Sequence, residues 1–395
     1  VTGALSTAAG SARARPLDPA WIAASILLPL AALGAAVALT GLAPTLFANY
    51  VYLADAWRHG RLWIEFPGGF IDAVPFHGRA YVIEGPLPGL LIFPFVCAFG
   101  LDTNQTILSA ALGALSVFAG VRLCRNLGTP LPATILLNAF LFFGTSMFVC
   151  AAYGSVWYLA HVSAAAFTLL ALAELYGTGR GWAVALFALA AAFSRLPMLA
   201  AVPVYLAILS LRPERRRDVF SFAAVCLAVA PLAIWYNEAR WGTPFDIGFT
   251  RFYQIMDIDH PRTGSPFSFS NLELQLRAFF LGPPPFTGTF PWVAPGTFGT
   301  SIEWASPGLV VALLTRSKAA IPLWLLFALT ALPGFLYFDI GGTQFGMRHA
   351  LDFEPFLFAL MALAAARRPL PLWGTLLIAY SIAFGLAAAF VWKAL

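Results

Sequence analysis

Charge is what this sequence has least of. Only 10% of its 395 residues are charged, against 60% hydrophobic, where soluble domains carry about 25% charged residues. A soluble or disordered chain is excluded on that ground. Cysteine is sparse as well. Cys97, Cys124, Cys150 and Cys226 lie in or beside apolar runs and form no CxxC or Cys/His spacing, so they read as small packing residues and not as zinc ligands. A P-loop, a dinucleotide glycine fingerprint, an HExxH pair and a Ser/His/Asp order are all missing, which leaves no signature of ATP hydrolysis. The net charge of +5 does not mark a nucleic-acid binder. In a chain this apolar, Lys and Arg first report topology.

What is present is a series of apolar runs near the ~20 residues that cross a bilayer as a helix. They cover 20–42, 104–123, 131–150, 156–176, 181–194, 197–211, 219–236, 304–315, 319–338, 350–366 and 371–392. The runs are continuous and not alternating, which excludes a β-barrel. The expected fold is an all-α polytopic membrane protein, one domain over 1–395. The first run is longer than a signal-peptide core and lacks a cleavage site, so it reads as a retained span.

The run 86–99 is too short to cross and contains Pro86, Pro88 and Pro94. The basic clusters decide its place. If 86–99 stays on the outer side and the N-terminus is cytoplasmic, Arg122 with Arg125, Arg180, Arg212 with Arg215–Arg217, Arg316 with Lys318, and Arg367 with Arg368 all fall inside. That obeys the positive-inside rule. The expectation is therefore about eleven spans, the C-terminus outside, and 86–99 as a re-entrant or interfacial helix. Arg195 then sits in a turn at the outer surface. Of the 18 acids, only Asp18, Glu174, Glu214 and Asp218 lie inside, and all five histidines lie outside. Two long outer loops, 43–103 and 237–303, are rich in Trp, Phe and Pro, which argues for function and against disorder.

The first outer loop opens with "FANYVYLADAWRHGRL". Helical spacing puts Phe47, Tyr50, Val51, Leu53, Ala54 and Trp57 on one face, and Asn49, Tyr52, Asp55 and His59 on another, as in a helix lying along a membrane surface or lining a cavity. Next comes "DAVPFHGRAYVIEGPLPGLLIFP", which packs Asp72, His77, Arg79, Tyr81 and Glu84 just ahead of the Pro-bracketed run. Ionisable groups beside a bilayer are costly and tend to be functional, and a half-buried carboxylate gains the raised pKa of a general base. Arg195 suits a phosphate through its forked donors. In "DIGGTQFGMRHALDFEPFLF", Arg348 and Asp352 are spaced as an i,i+4 ion pair, with His349 and Glu354 beside them and glycines that suit a bent loop. The outer loops hold enough Asp and His for a divalent cation, but no spacing requires one, and no metal ligand is assigned.

The order of these motifs, with the "GSVWYLAH" span start and the short hairpin with a basic turn between them, resembles the GT-C superfamily of integral-membrane glycosyltransferases. The likeness is to bacterial members similar to protein mannosyltransferases and lipid A aminoarabinose transferases. It spans most of the chain. It implies a GT-C-like bundle in the bacterial inner membrane and a sugar donor linked to polyprenyl phosphate. Transfer would be to a lipid, glycan or protein acceptor at the periplasmic face. Carried onto this sequence, it implies a catalytic base at Asp72, with Asp55 and then Glu84 as the alternatives, and donor-phosphate contacts from Arg79, Arg195, Arg348 and His349. Asn49, Tyr52, His59, His77 and Tyr81 would line the cavity. One departure stands out. Many members carry an Asp near the start of the first outer helix, where this chain has Asn49, which cannot act as a base. Either the base has moved, or the chain is a non-catalytic lipid-binding protein. A lipid or sugar carrier is a third reading, but carriers show internal repeats and none is evident.

Overall fold

The computed structural model describes residues 18–391 apart from 66–72, 212, 257–263, 291, 295, 297, 298, 343 and 345. Helices dominate because backbone groups in hydrocarbon must be satisfied within their own segment. The first, α1 (Pro19–Thr40), starts where the Asp18 carboxylate accepts the Ala20 N–H at 2.9 Å, and ends on left-handed Gly41. Two helices of the first long loop follow: α2 (Asn49–Arg58) and, after a hairpin, α3 (Leu87–Phe99). Next are α4 (Gln105–Leu127), α5 (Leu131–Phe143), α6 (Met147–Tyr153), α7 (Val156–Leu175), α8 (Gly181–Ser194), α9 (Val202–Ser210) and α10 (Arg216–Trp241). The remainder are α11 (Phe249–Ile255), α12 (Leu272–Phe280), α13 (Ile302–Ala305), α14 (Ile321–Leu336), α15 (Glu354–Arg367) and α16 (Leu372–Val391).

Six helical stretches are long and apolar enough to cross a membrane, or seven if α5 and α6, bent by 55° at their junction, form one broken span. The run 131–150, expected as one helix, is thus interrupted at Gly144–Ser146. The run 304–315 folds mainly as a 3-10 segment, Pro307–Leu314, which at about 2.0 Å per residue is far shorter than a bilayer core. The helices α3, α8 and α15 hold 13, 14 and 14 residues, or about 20 Å each. The protein is a helical, multi-pass membrane protein.

Burial sorts the spans. In α7, 83% of the apolar window is buried, and in α10 only 6%. The first is the centre of the bundle. The second presents Phe220, Leu227, Leu232 and Trp235 outward, as a helix facing lipid does. Small residues let the central helices approach. A Cβ on Gly113 would stand 2.6 Å from the Ala151 Cβ, and one on Gly120 would stand 2.3 Å from Asn138 Oδ1.

The first long loop is not purely helical. Strands β1 (Ala73–Phe76) and β2 (Arg79–Val82) pair antiparallel around His77–Gly78, with φ of 50° and 71°. Two successive positive φ values mark a type I′ hairpin turn. The alternation in "AVPFHGRAYV" carried that signal. The buried face, Val74 and Tyr81, packs on Trp241, Phe252, Tyr253 and Phe338. The neighbouring α2 lies against α3, where Gly89 leaves room for the Trp57 ring.

Candidate functional site

Three breaks in the helical pattern meet at one place. The first is the turn between α8 and the 3-10 segment Leu196–Ala201, where Pro197 prevents the helix continuing and Arg195 takes extended backbone. The second is the 3-10 turn Arg348–Asp352 ahead of α15. The third is the first two turns of α7, which carry His161.

Arg195 donates from Nε to Asp352 Oδ1 at 3.2 Å and from an NH2 to Oδ2 at 2.9 Å. His161 Nδ1 lies 3.0 Å from the same Oδ1. The Asp352 side chain is 3% exposed. A carboxylate accepts only, so Nδ1 carries a proton toward Asp352, and Nε2 is the other polar atom of the ring. That atom is buried and has no hydrogen-bond partner among the described residues. The His349 ring stacks on His161 at 5.4 Å, and its Nδ1 is likewise without a partner there. Burial, followed by the charge of the Arg348 guanidinium, holds His349 well below the usual imidazole range.

Arg348 is the outlier. It is 7% exposed, yet it forms no ion pair with a carboxylate among the described residues. The expected i,i+4 pair with Asp352 does not form. At three residues per turn, positions four apart point about 120° away from each other, whereas an α-helix would bring them onto one face. Asp352 turns to Arg195, and Arg348 donates to Gln344 Oε1 at 3.2 Å. Its Nε finds no partner among the described residues. The guanidinium fits only because Gly341 has no side chain. A Cβ there would meet Arg348 at 2.6 Å, and the local φ of +80° is a glycine conformation.

The first long loop reaches this cluster through Gly85. A Cβ on Gly85 would stand 2.1 Å from the Phe193 carbonyl oxygen and 2.9 Å from that of Ser194, so "EGP" is seated directly on the Arg195 turn. Glu84 precedes it. Tyr50 of α2 is fully buried, and its hydroxyl is pushed up by burial and by Glu84 while Arg195 pulls it down, which puts all three in one electrostatic neighbourhood.

Arg195, Arg348 and His349, three of the sequence-derived phosphate candidates, are brought together, with Glu84 next to the Arg195 turn. Arg195, read as a cation in need of an external anion, already has one in Asp352. The other candidates lie elsewhere. Asp55 sits 3.4 Å from His59 at the C-terminal end of α2. Asn49 is buried, although the helical wheel placed it on the polar stripe, and Tyr52 is half-buried. His77 and Arg79 are exposed on the hairpin, where Arg79 stacks on Trp63 at 5.2 Å, while Tyr81 is buried against Trp241 at 5.0 Å. Asp72 lies outside the described residues. His161 was not among the sequence-derived candidates, and Asp352 was read from the sequence only as an ion-pair partner for Arg348. The signal that finds them is an ionisable residue inside an apolar run, which demands a partner. Among the described residues, no group of three His, Cys, Asp or Glu side chains is placed to hold a metal ion.

No family model, curated protein or solved structure matches this chain.

Proposed function

We propose that this protein is a membrane glycosyltransferase of GT-C type. It takes a sugar linked to polyprenyl phosphate and transfers it to a lipid, glycan or protein acceptor at the periplasmic face of a bacterial inner membrane. The chain would cross about eleven times, with its N-terminus cytoplasmic and its C-terminus periplasmic.

The observation that carries the reading is Arg348: a buried guanidinium with no carboxylate partner among the described residues, next to the stacked imidazoles of His349 and His161. A buried unpaired cation is expensive. A phosphate offsets that cost and accepts the fork in two hydrogen bonds. Arg195, locked on Asp352, positions His161 and holds the turn on which Gly85 rests. Glu84 directly precedes Gly85, which is seated on that turn, and is the proposed base. It removes the acceptor's proton as the acceptor oxygen bonds to the sugar's anomeric carbon. The bond from that carbon to the phosphate oxygen breaks, and polyprenyl phosphate leaves with the electron pair, stabilised by Arg348.

The test is release of polyprenyl phosphate from a panel of polyprenyl-phosphate sugars by the reconstituted protein. Glu84→Gln is expected to bind donor without releasing lipid phosphate, and Asp55→Asn to keep most of its turnover. Normal turnover in Glu84→Gln with none in Asp72→Asn moves the base to Asp72. A second reading, a non-catalytic lipid-binding protein, draws on the buried Asn49 at the place of the family's acid. Donor binding with no release from any sugar favours it.

A further inference from the structure

A second cluster of cations lies around the loop 314–317, which joins the 3-10 segment Pro307–Leu314 to the start of α14, and the C-terminal end of α15. There Arg316, Arg367 and Arg368 line a cavity of about 220 Å³ with Leu314, Ser317 and Ala364. None of the three arginines forms an ion pair among the described residues. Two other basic residues assigned to the same side do have an acid beside them. Arg180 is held by Glu174 at 2.9 Å, and Arg215 lies 3.7 Å from Asp218. A topology signal alone needs cations only near the span ends. It does not need three of them around one concavity without an acid.

The cavity floor is polar and incomplete. Ser317 Oγ is buried without a hydrogen-bond partner among the described residues, whereas Thr315 is satisfied by the Leu360 carbonyl at 2.7 Å. Arg368 reaches across the cavity to the Leu314 carbonyl, a long contact of 3.4 Å, which leaves most of its five donors available. Apolar surface begins immediately beside the cations. Leu313 is exposed on one side, and Leu372, Trp373 and Leu376 are exposed on the first turns of α16. Cations and a hydroxyl at one end, with leucines and an interfacial tryptophan beside them, match a molecule that has an anionic head and hydrocarbon tails.

We propose that this cavity binds the phosphodiester headgroup of an anionic phospholipid, with its acyl chains lying along α16. The arginine forks take the phosphate oxygens and Ser317 donates its hydroxyl. The site is separate from the Arg348 cluster and does not depend on glycosyl transfer. It anchors the junction of the 3-10 segment and α15, the helix that Asp352 and Glu354 lead into.

The experiment is native mass spectrometry of the full-length protein, delipidated and titrated with phosphatidylglycerol, phosphatidylcholine or inorganic phosphate. Wild type is expected to retain phosphatidylglycerol over phosphatidylcholine by about tenfold, and Arg316→Gln/Arg368→Gln to lose that preference. Arg216→Gln, which removes an exposed cation outside the cavity, is expected to keep it. Arg316→Lys/Arg368→Lys preserves charge and guards against misfolding. It is expected to fall between the two, because a point charge replaces a fork. Equal retention of both lipids by wild type overturns the proposal, as does an equal loss in Arg216→Gln, which would mean diffuse surface charge. Displacement of the lipid by millimolar inorganic phosphate would show a free-phosphate site and overturn the lipid assignment.

Discussion

Arg195 and Asp352, separated by 157 positions in sequence, meet in a two-point hydrogen bond of 3.2 and 2.9 Å between the α8 turn and the segment that leads into α15. Each residue sits at a helix break. The pair fixes those breaks relative to one another and, through the second bond to Asp352 Oδ1, fixes the plane of His161.

Breaking this pair is expected to be costly for the fold. Removing one partner strands the other charge in a site where Asp352 is 3% exposed, a loss of about 3–5 kcal/mol. Arg195→Ala and Asp352→Ala should each destabilise strongly, and the double variant should be less destabilised than their sum. Unfolding in detergent, analysed as a double-mutant cycle, measures the coupling. Additive losses would remove Arg195 from its positioning role.

Arg348 should behave in the opposite way. Its guanidinium is buried without an acid among the described residues, so Arg348→Met removes a desolvation cost and keeps the volume. Stability is expected to hold or rise, while affinity for a lipid-phosphate donor falls by roughly a hundredfold. A melting curve and a donor titration on one preparation check both parts.

Gly85 tests the seam between the first long loop and the bundle. Alanine at that position places a methyl 2.1 Å from a backbone oxygen that cannot rotate away. Gly85→Ala should cost about 1–3 kcal/mol and lower turnover by displacing Glu84. Gly288→Ala, where an added Cβ meets nothing within 4 Å, is the matched control. Unchanged melting in both would mean that the seam yields.

His349 predicts a pH dependence. Its folded pKa lies below the ordinary value of 6.5, so the unfolded chain binds more protons near that pH. The stability its neutral form contributes is present above about 6.5 and is lost as pH falls toward the folded pKa. Melting temperature should therefore decline on acidification from pH 7.5 to 5.5, and His349→Gln should flatten that decline. An identical slope in both proteins would assign the effect to another group.

Most of the helical framework was legible in the sequence, because lipid forces each backbone polar group to pair locally and the apolar runs therefore mark the helices. The runs 104–123 and 156–176 correspond to Gln105–Leu127 and Val156–Leu175, and Asn104 marks its helix start by accepting the Thr106 N–H. Where short-range competition decides, the reading weakened. The hairpin at Ala73–Val82 lies in a stretch whose apolar pattern marks no helix, the run 131–150 bends between two helices, and Pro307–Leu314 winds as a 3-10 segment. Only the tertiary structure decided which charges are partners. Local spacing offered Asp352 to Arg348, but the tight turn rotated them apart. Asp352 then paired with a guanidinium from another helix end, and Arg348 was left buried beside two imidazoles. Such a choice depends on which helix ends converge and what desolvation each charge suffers there, and neither quantity is written in the period of a single segment.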